Sequence, residues 1–178
     1  MTMEDKKGKI ALMGYMGSGK SRIGRLLARK LNRIFIDLDD YIVEKESMSI
    51  SKIFDQKGEI YFRKIEAKYL KEVLTDPAPK VLSLGGGTPC YGSNMAEITK
   101  EALSVYLRAN IPTLVQRLSD ERTDRPMIAA LEPDQLTEFV AKHLFERRNF
   151  YEQAWLTVAV DNLSPEDIAA KILEAIPA

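Results

Sequence analysis

The sequence predicts an α/β fold in three layers, a parallel sheet with helices over both faces, and three observations lead there. Short aliphatic runs alternate with amphipathic stretches along the chain, the pattern of strands joined by crossover helices. One such junction carries Gly14-Tyr15-Met16-Gly17-Ser18-Gly19-Lys20-Ser21, a complete G-x-x-x-x-G-K-[ST] phosphate loop directly after the run Ile10-Ala11-Leu12-Met13. The chain has 178 residues, 45% of them hydrophobic, which suits one domain with a sizeable core. No repeat or linker divides it, so residues 1–178 are read as a single domain.

The elements follow in order. After a charged start, Glu4-Asp5-Lys6-Lys7, the first strand is expected near 9–13. Behind the phosphate loop, Ile23, Leu26, Leu27 and Leu31 fall at helical spacing. A second strand is expected near 34–37. A long helical region comes next, from Tyr41 to Glu46, then from a Ser49 cap through a break at Gly58 to Leu74. This insertion, about 38–76, is larger than a crossover needs, and it either walls a substrate pocket or simply packs. A third strand near 80–84 ends in Gly85-Gly86-Gly87-Thr88, and a fourth is expected near 103–107. A helix from Pro112 to Leu118 leads into the polar stretch Ser119-Asp120-Glu121-Arg122-Thr123-Asp124-Arg125-Pro126, an exposed loop that places a lid at about 119–132. A helix from near Pro133 runs to Arg147-Arg148, and the last strand is expected near 156–160.

Charge and composition exclude several classes of partner. With 26 basic and 26 acidic residues the net charge is zero, so no global field recommends the protein to nucleic acid or an acidic membrane surface. Cys90 is the single cysteine, which rules out an internal disulfide. No apolar stretch is long enough for a signal peptide or a membrane span, and a cytoplasmic location is the expectation.

The residues that could carry chemistry cluster at predicted strand ends. In the phosphate loop, Gly14, Gly17 and Gly19 let the backbone curl so that amides, with the start of the next helix, point at phosphate oxygens. Lys20 would reach the β- and γ-phosphates and Ser21 would ligate Mg²⁺, with Ser18 and Arg22 completing the nucleotide contacts. Period two places Asp37 and Asp39 on one side of the second strand's end. Asp37 is then set to hold Mg²⁺ through water, and Asp39 to meet the acceptor hydroxyl. Asp40 reads as a cap for the helix after it. Gly85, Gly86 and Gly87 allow close approach of backbone to a ligand and expose N–H donors. Arg63, Arg125, Arg147 and Arg148 are the cations placed near such features. His143 and Cys90 lack partners for nucleophilic catalysis or metal ligation and read as structural, while Met13, Met16 and Trp155 read as packing residues.

With these residues laid out, the chain resembles the shikimate kinases from Lys9 to about Leu173. The resemblance rests on the phosphate loop, Asp37-Leu38-Asp39, Phe62-Arg63 with Glu66 after it, and Gly85-Gly86-Gly87, with weaker matches at Arg125-Pro126 and Arg147-Arg148-Asn149-Phe150-Tyr151. It implies a nucleoside-monophosphate-kinase-like fold, a five-stranded parallel sheet of order 2-3-1-4-5, and ATP-dependent phosphorylation of the shikimate 3-hydroxyl with Mg²⁺. That reaction gives shikimate 3-phosphate and ADP on the route to chorismate and the aromatic amino acids. The resemblance makes Lys20, Asp39 and Arg125 the catalytic set, with Arg125 closing on ATP as a lid arginine. It makes Asp39, Arg63, Gly85, Gly86, Gly87 and Arg147 the shikimate contacts. A guanidinium pairs bidentately with a carboxylate, and an aspartate accepts from hydroxyls, so these residue types suit a small hydroxy acid.

The family commonly has Arg-x-Pro-Leu-Tyr where this chain has Arg147-Arg148-Asn149-Phe150-Tyr151. Counting back from Tyr151 selects Arg147, and counting back from Asp161 selects Arg148, so both stay open at this point. Adenine contacts are placed near Asp161-Asn162-Leu163-Ser164-Pro165. A monomer acting on small molecules only is expected. The rivals are a gluconate or nucleoside monophosphate kinase of the same fold, and a nucleotide-dependent regulatory module without catalysis.

Overall fold

The computed structural model of the chain describes residues 6, 8–120, 131 and 133–177. Strand β1 (Lys9–Met13) is buried along its whole length between two parallel neighbours, which is why its sequence after Lys9 is continuously apolar rather than alternating. On one side it pairs with β3 (Lys80–Ser83), and β3 pairs with β2 (Ile34–Asp37) at the sheet edge. On the other side it pairs with β4 (Leu103–Arg108), which pairs with β5 (Leu156–Ala159). All pairings are parallel and the order is β2-β3-β1-β4-β5, as the resemblance implied. Alternation along the strands feeds two cores. Ile10, Leu12, Val105 and Leu107 face one, and Ala11, Met13, Leu82 and Tyr106 face the other.

Seven α-helices among the described residues cover the two faces. On the first face, α1 (Lys20–Leu31), α5 (Ile111–Asp120), α6 (Pro133–Tyr151) and α7 (Pro165–Ala175) bury Leu27, Leu114, Val140 and Ile172 respectively. On the second, α2 (Leu38–Glu46), α3 (Ile50–Thr75) and α4 (Asn94–Glu101) bury Ile42, Leu70 and Ile98. Each such side chain contributes roughly 1.5–3 kcal/mol by leaving water. That exceeds the ~1 kcal/mol that Gly24 costs in the interior of α1. Gly24 is there for space, because a Cβ at this position would lie 2.5 Å from the Phe35 ring.

The insertion between β2 and β3 is helical from end to end, as the sequence predicts, but its first cap is not the expected one. The residue that caps α2 is Asp37, whose Oδ1 accepts from the Asp39 amide at 3.2 Å; Asp40 lies inside the first turn. The strand ends earlier than its aspartates suggest, so Asp39 belongs to the helix and the period-two argument does not apply to it. Ser49 caps α3 through the Lys52 amide at 3.3 Å, as expected. Gly58 interrupts α3 with φ 77° and ψ 171°, a conformation open to glycine alone.

At the far end of α3, two buried lysines catch its last carbonyls. Lys9 and Lys80 face each other in the β1–β3 register. Lys9 Nζ donates to the Leu74 carbonyl at 2.6 Å, and Lys80 Nζ donates to the Val73 and Asp76 carbonyls at 3.3 Å and pairs with the Asp76 carboxylate at 2.7 Å. Cations suit this end of a helix, where the dipole and the unpaired carbonyls are negative. Met13 is buried and Met16 packs partly against the first core, as predicted. Trp155 is 36% exposed and joins neither core. It falls in the turn that leaves α6, ahead of edge strand β5, where there is no second layer to receive it.

Candidate active site

The C-terminal ends of β1, β2 and β3 open into a cavity of about 810 Å³. One end is built by the loop from Gly14 to Gly19. Gly14, Gly17 and Gly19 all have positive φ, so the loop turns back on itself ahead of α1. No side chain caps α1, and the first amides of a helix have no acceptor within it. The loop and the start of α1 line the cavity, the setting in which a helix N-terminus cradles an anion. Lys20 Nζ folds back onto the loop, donating to the Gly14 and Tyr15 carbonyls at 2.9 and 3.0 Å. Ser21 Oγ donates to Asp37 Oδ2 at 2.7 Å and lies 3.2 Å from Ser83 Oγ. Ser18 Oγ is buried with no hydrogen-bond partner, and Arg22 is exposed at the cavity rim.

Arg117 also borders this end, a residue that sequence reasoning missed. Its Nη1 donates to the Gly17 carbonyl at 3.1 Å, across 100 positions of sequence. A signal did exist. Leu114 and Leu118 set the buried phase of α5, which fixes where position 117 must point. Leu163, Pro165 and Ile168 line the same cavity and give it an apolar wall near the segment expected to contact adenine.

The other end is made of side chains. Asp39, in the first turn of α2, approaches the turn after β3: a Cβ at Gly85 would lie 3.1 Å from Asp39 Oδ1 and 2.9 Å from Thr88 Oγ1. Burial, with Asp37 and Glu66 nearby, pushes the Asp39 carboxyl up to about 6, against the opposing pull of Lys20. Glu66 is 1% exposed and accepts from Thr88 Oγ1 at 2.7 Å and from Arg63 Nη1 at 2.9 Å. Arg63 lies over the Tyr91 ring at 3.9 Å and packs on Gly87, where a Cβ would meet both terminal nitrogens at 3.1 Å. Glu59 forms an ion pair with Arg63 Nε at 3.5 Å, and Nε has no hydrogen-bond partner.

Arg147 and Arg148 part company in the structure. Arg147 turns inward, with Nη1 3.5 Å from the point a Gly86 Cβ would occupy and its guanidinium 5.5 Å from the centre of the Tyr15 ring. It makes no ion pair among the described residues. Arg148 turns outward and pairs with Glu152 at 2.6 Å, with its side chain 66% exposed. One residue of helix rotation separates the two outcomes. Tyr151, a buried residue at the end of the same helix, donates from its hydroxyl to the Gly86 carbonyl at 2.5 Å.

Arg125, expected to act from a lid, lies outside the described residues. His143 stacks on Phe139 at 4.1 Å and lies 3.4 Å from the Tyr15 hydroxyl, a packing role. Burial raises the Cys90 thiol to about 11 and keeps it protonated. Among the described residues no group of three or more His, Cys, Asp or Glu could hold a metal, and no helix is long and apolar enough to cross a membrane.

A phosphate cradle at one end of the cavity, with two guanidiniums packed against Gly86 and Gly87 of the turn beside its other end, suits a kinase with an anionic acceptor, and comparison with known proteins decides which. A sequence model of shikimate kinases matches residues 16–177. The chain belongs to the shikimate kinase family. A curated shikimate kinase of Flavobacterium psychrophilum is 44% identical over 165 residues, covering 92% of this chain and 96% of that protein. The crystal structure of a shikimate kinase from Bacteroides thetaiotaomicron superposes with a TM-score of 0.89 at 36% identity, covering 93% of this chain and 96% of that one. A shikimate kinase from Acinetobacter baumannii, solved in complex with shikimate, gives a TM-score of 0.85 at 32% identity, with 94% and 92% covered. As a member of the shikimate kinase family the chain is a phosphotransferase with a P-loop kinase fold, and the whole of the acceptor end lies in the segment the family shares.

Proposed function

We propose that the chain transfers the γ-phosphoryl group of ATP to the 3-hydroxyl of shikimate, giving shikimate 3-phosphate and ADP. The observation that carries this reading is the pairing of an anion cradle at Gly14–Ser21 with an acceptor end holding Asp39, Arg63, Arg147 and Gly85–Gly87. Shikimate has one carboxylate and three hydroxyls, and the acceptor end has matching chemistry for each. Arg147, which makes no ion pair among the described residues, supplies the net positive charge for the carboxylate, and Arg63, largely neutralised by Glu66, supplies directed N–H donors. Asp39 accepts from the hydroxyl that will attack, orienting it first and taking its proton late. The glycine amides donate to ring oxygens.

At the donor end the loop amides with Ser18, Lys20 and Arg22 hold the triphosphate, and Arg117 with Leu163 and Pro165 receives the base. Ser21 Oγ and Asp37 Oδ2, 2.7 Å apart at the cavity floor, are hard oxygens that fit Mg²⁺, an ion that keeps most of its water and takes few protein ligands. When bound there, Mg²⁺ supplies positive charge to the β- and γ-phosphate oxygens. The transition state of phosphoryl transfer is loose, so positioning and charge by Lys20 and by Arg125 from the lid outweigh base strength. The balanced charge of the chain provides no global field for nucleic acid or an anionic membrane, which supports an enzyme acting on small molecules, read here as a cytoplasmic monomer.

A coupled ADP-release assay with shikimate, gluconate and AMP side by side tests the reading. Turnover with shikimate alone is expected. Turnover with gluconate or AMP instead would replace it with a sister kinase, and ATP binding with no turnover on any of the three would replace it with a regulatory module.

A further inference from the structure

The turn Gly85–Gly87 borders the cavity at Gly85 and Gly86, yet three successive glycines have no side chains to hold a peptide plane in place. Neither the Gly86 nor the Gly87 N–H has an acceptor within the protein among the described residues. What fixes the turn comes from the end of α6. Tyr151 is fully buried, its ring lies 5.0 Å from that of Tyr106 on β4, and its hydroxyl donates to the Gly86 carbonyl at 2.5 Å. Arg147, one helical turn earlier, approaches the same hydroxyl.

We propose that Tyr151 is a positioning residue for the acceptor substrate, setting through one hydroxyl both the Gly86–Gly87 peptide plane and the seat of Arg147. The peptide group is planar and trans, so the Gly86 carbonyl and the Gly87 N–H point in opposite directions. Anchoring the carbonyl on Tyr151 therefore aims the Gly87 N–H away from α6. The same oxygen stands beside the Arg147 guanidinium, which pairs with no carboxylate among the described residues, so one group registers two donors against each other. Burial raises the hydroxyl well above the ordinary tyrosine range, so it keeps its proton at any working pH. The ring stacked on Tyr106 holds that oxygen in place without occupying the cavity. The proposal rests on the reading that Arg147 and the glycine turn contact shikimate.

Tyr151→Phe removes the oxygen and keeps the ring. Losing the hydroxyl leaves the Gly86 carbonyl without its donor, and the KM for shikimate is expected to rise about fivefold to thirtyfold. KM for ATP and kcat should stay within about twofold to threefold, and the melting temperature should stay close to that of the unchanged protein. Tyr106→Phe, which deletes the other hydroxyl of the ring pair, should leave all of these unmoved. Equal rises in both KM values, a shikimate KM within twofold of the unchanged protein, or the same shikimate effect from Tyr106→Phe would each overturn the positioning role. Arg147→Ala is measured alongside. If it leaves shikimate KM unmoved, the reading of the site fails and takes this proposal with it; if it raises KM and Tyr151→Phe does not, the positioning role fails alone.

Discussion

The two ends of the cavity are built from different materials. The phosphate cradle of the donor end is eight consecutive residues, Gly14 to Ser21, and the chain's own glycine conformations shape it. The acceptor end gathers side chains from α2, α3, α6 and the turn after β3, and burial, with Asp37 and Glu66 nearby, holds the Asp39 carboxyl up at about 6. Backbone dipoles carry no net charge and need no counter-ion, so the donor end costs the fold little. The acceptor end concentrates ionised groups away from water and depends on every pairing within it. The contrast teaches that substitutions at the donor end should read out in turnover, while those at the acceptor end should read out in substrate affinity and stability together.

The largest effect should come from Lys20→Ala. Removing a preorganised cation from the phosphate cradle should lower kcat by about a thousandfold, or to below detection, with shikimate binding and melting temperature little changed. A variant that keeps most of its kcat would break the comparison at its first term.

Next come the two inward arginines. Arg63→Ala and Arg147→Ala should each raise shikimate KM by roughly 30-fold to several thousand-fold, the ~2–5 kcal/mol lost when a charged partner of a carboxylate is truncated. They should differ in stability. Arg63→Ala leaves Glu66, 1% exposed, without its cation, and should cost about 3 kcal/mol and roughly 6–12 °C in Tm. Arg147→Ala breaks no ion pair and should leave Tm nearly unchanged, as differential scanning calorimetry would show.

Asp39 gives a smaller effect that depends on pH. With its carboxyl at about 6, kcat/KM should fall about tenfold between pH 7 and pH 5 as the acceptor protonates. Asp39→Asn should remove that limb and lower kcat at neutral pH. The stability effect has the opposite sign. A carboxyl raised from 3.8 to about 6 binds its proton more tightly folded than unfolded, so its penalty is absent below about pH 4, grows through about pH 6, and is complete above. Asp39→Asn should therefore stabilise the protein at pH 8 by on the order of 2–3 kcal/mol and not at pH 4. A Tm difference that does not change with pH would contradict this.

The smallest effect sharpens the boundary of the acceptor end. Gly58→Ala meets no atom within 4 Å, but its φ of 77° and ψ of 171° should cost about 1–3 kcal/mol of stability. ATP KM should be unmoved.

How much of this was legible in the sequence follows from the same contrast. The phosphate loop could be read residue by residue because its geometry is local, and alternating apolar runs sufficed for the sheet. Its strand order came from resemblance, since periodicity does not say which strands are neighbours. Arg63 and the glycine turn were brought together only by the resemblance, because the contact between them depends on how α3 docks. The choice between Arg147 and Arg148 needed the rotational phase of α6, which Tyr151 sets by inserting between Gly86 and Tyr106. Asp39 was misplaced onto the strand because nothing in Ile36-Asp37-Leu38-Asp39 marks where hydrogen bonding to β3 stops. Arg117 escaped notice because its link to Gly17 is a tertiary return over 100 residues.

The lysine pair at the N-terminal ends of β1 and β3, away from the cavity, bears on the order in which the molecule assembles. Lys9 and Lys80 can hold the end of α3 only once β1 and β3 lie side by side, a closure between positions 71 apart in sequence. Helix α3 can form its own turns early, but its carbonyls acquire their cationic anchor only after the centre of the sheet exists. The arm carrying Arg63 is thus seated late in folding and released early in unfolding, ahead of the strands that fasten it. Native-state hydrogen exchange should find the last turns of α3 opening at lower free energy than β1, and Lys80→Met should widen that gap.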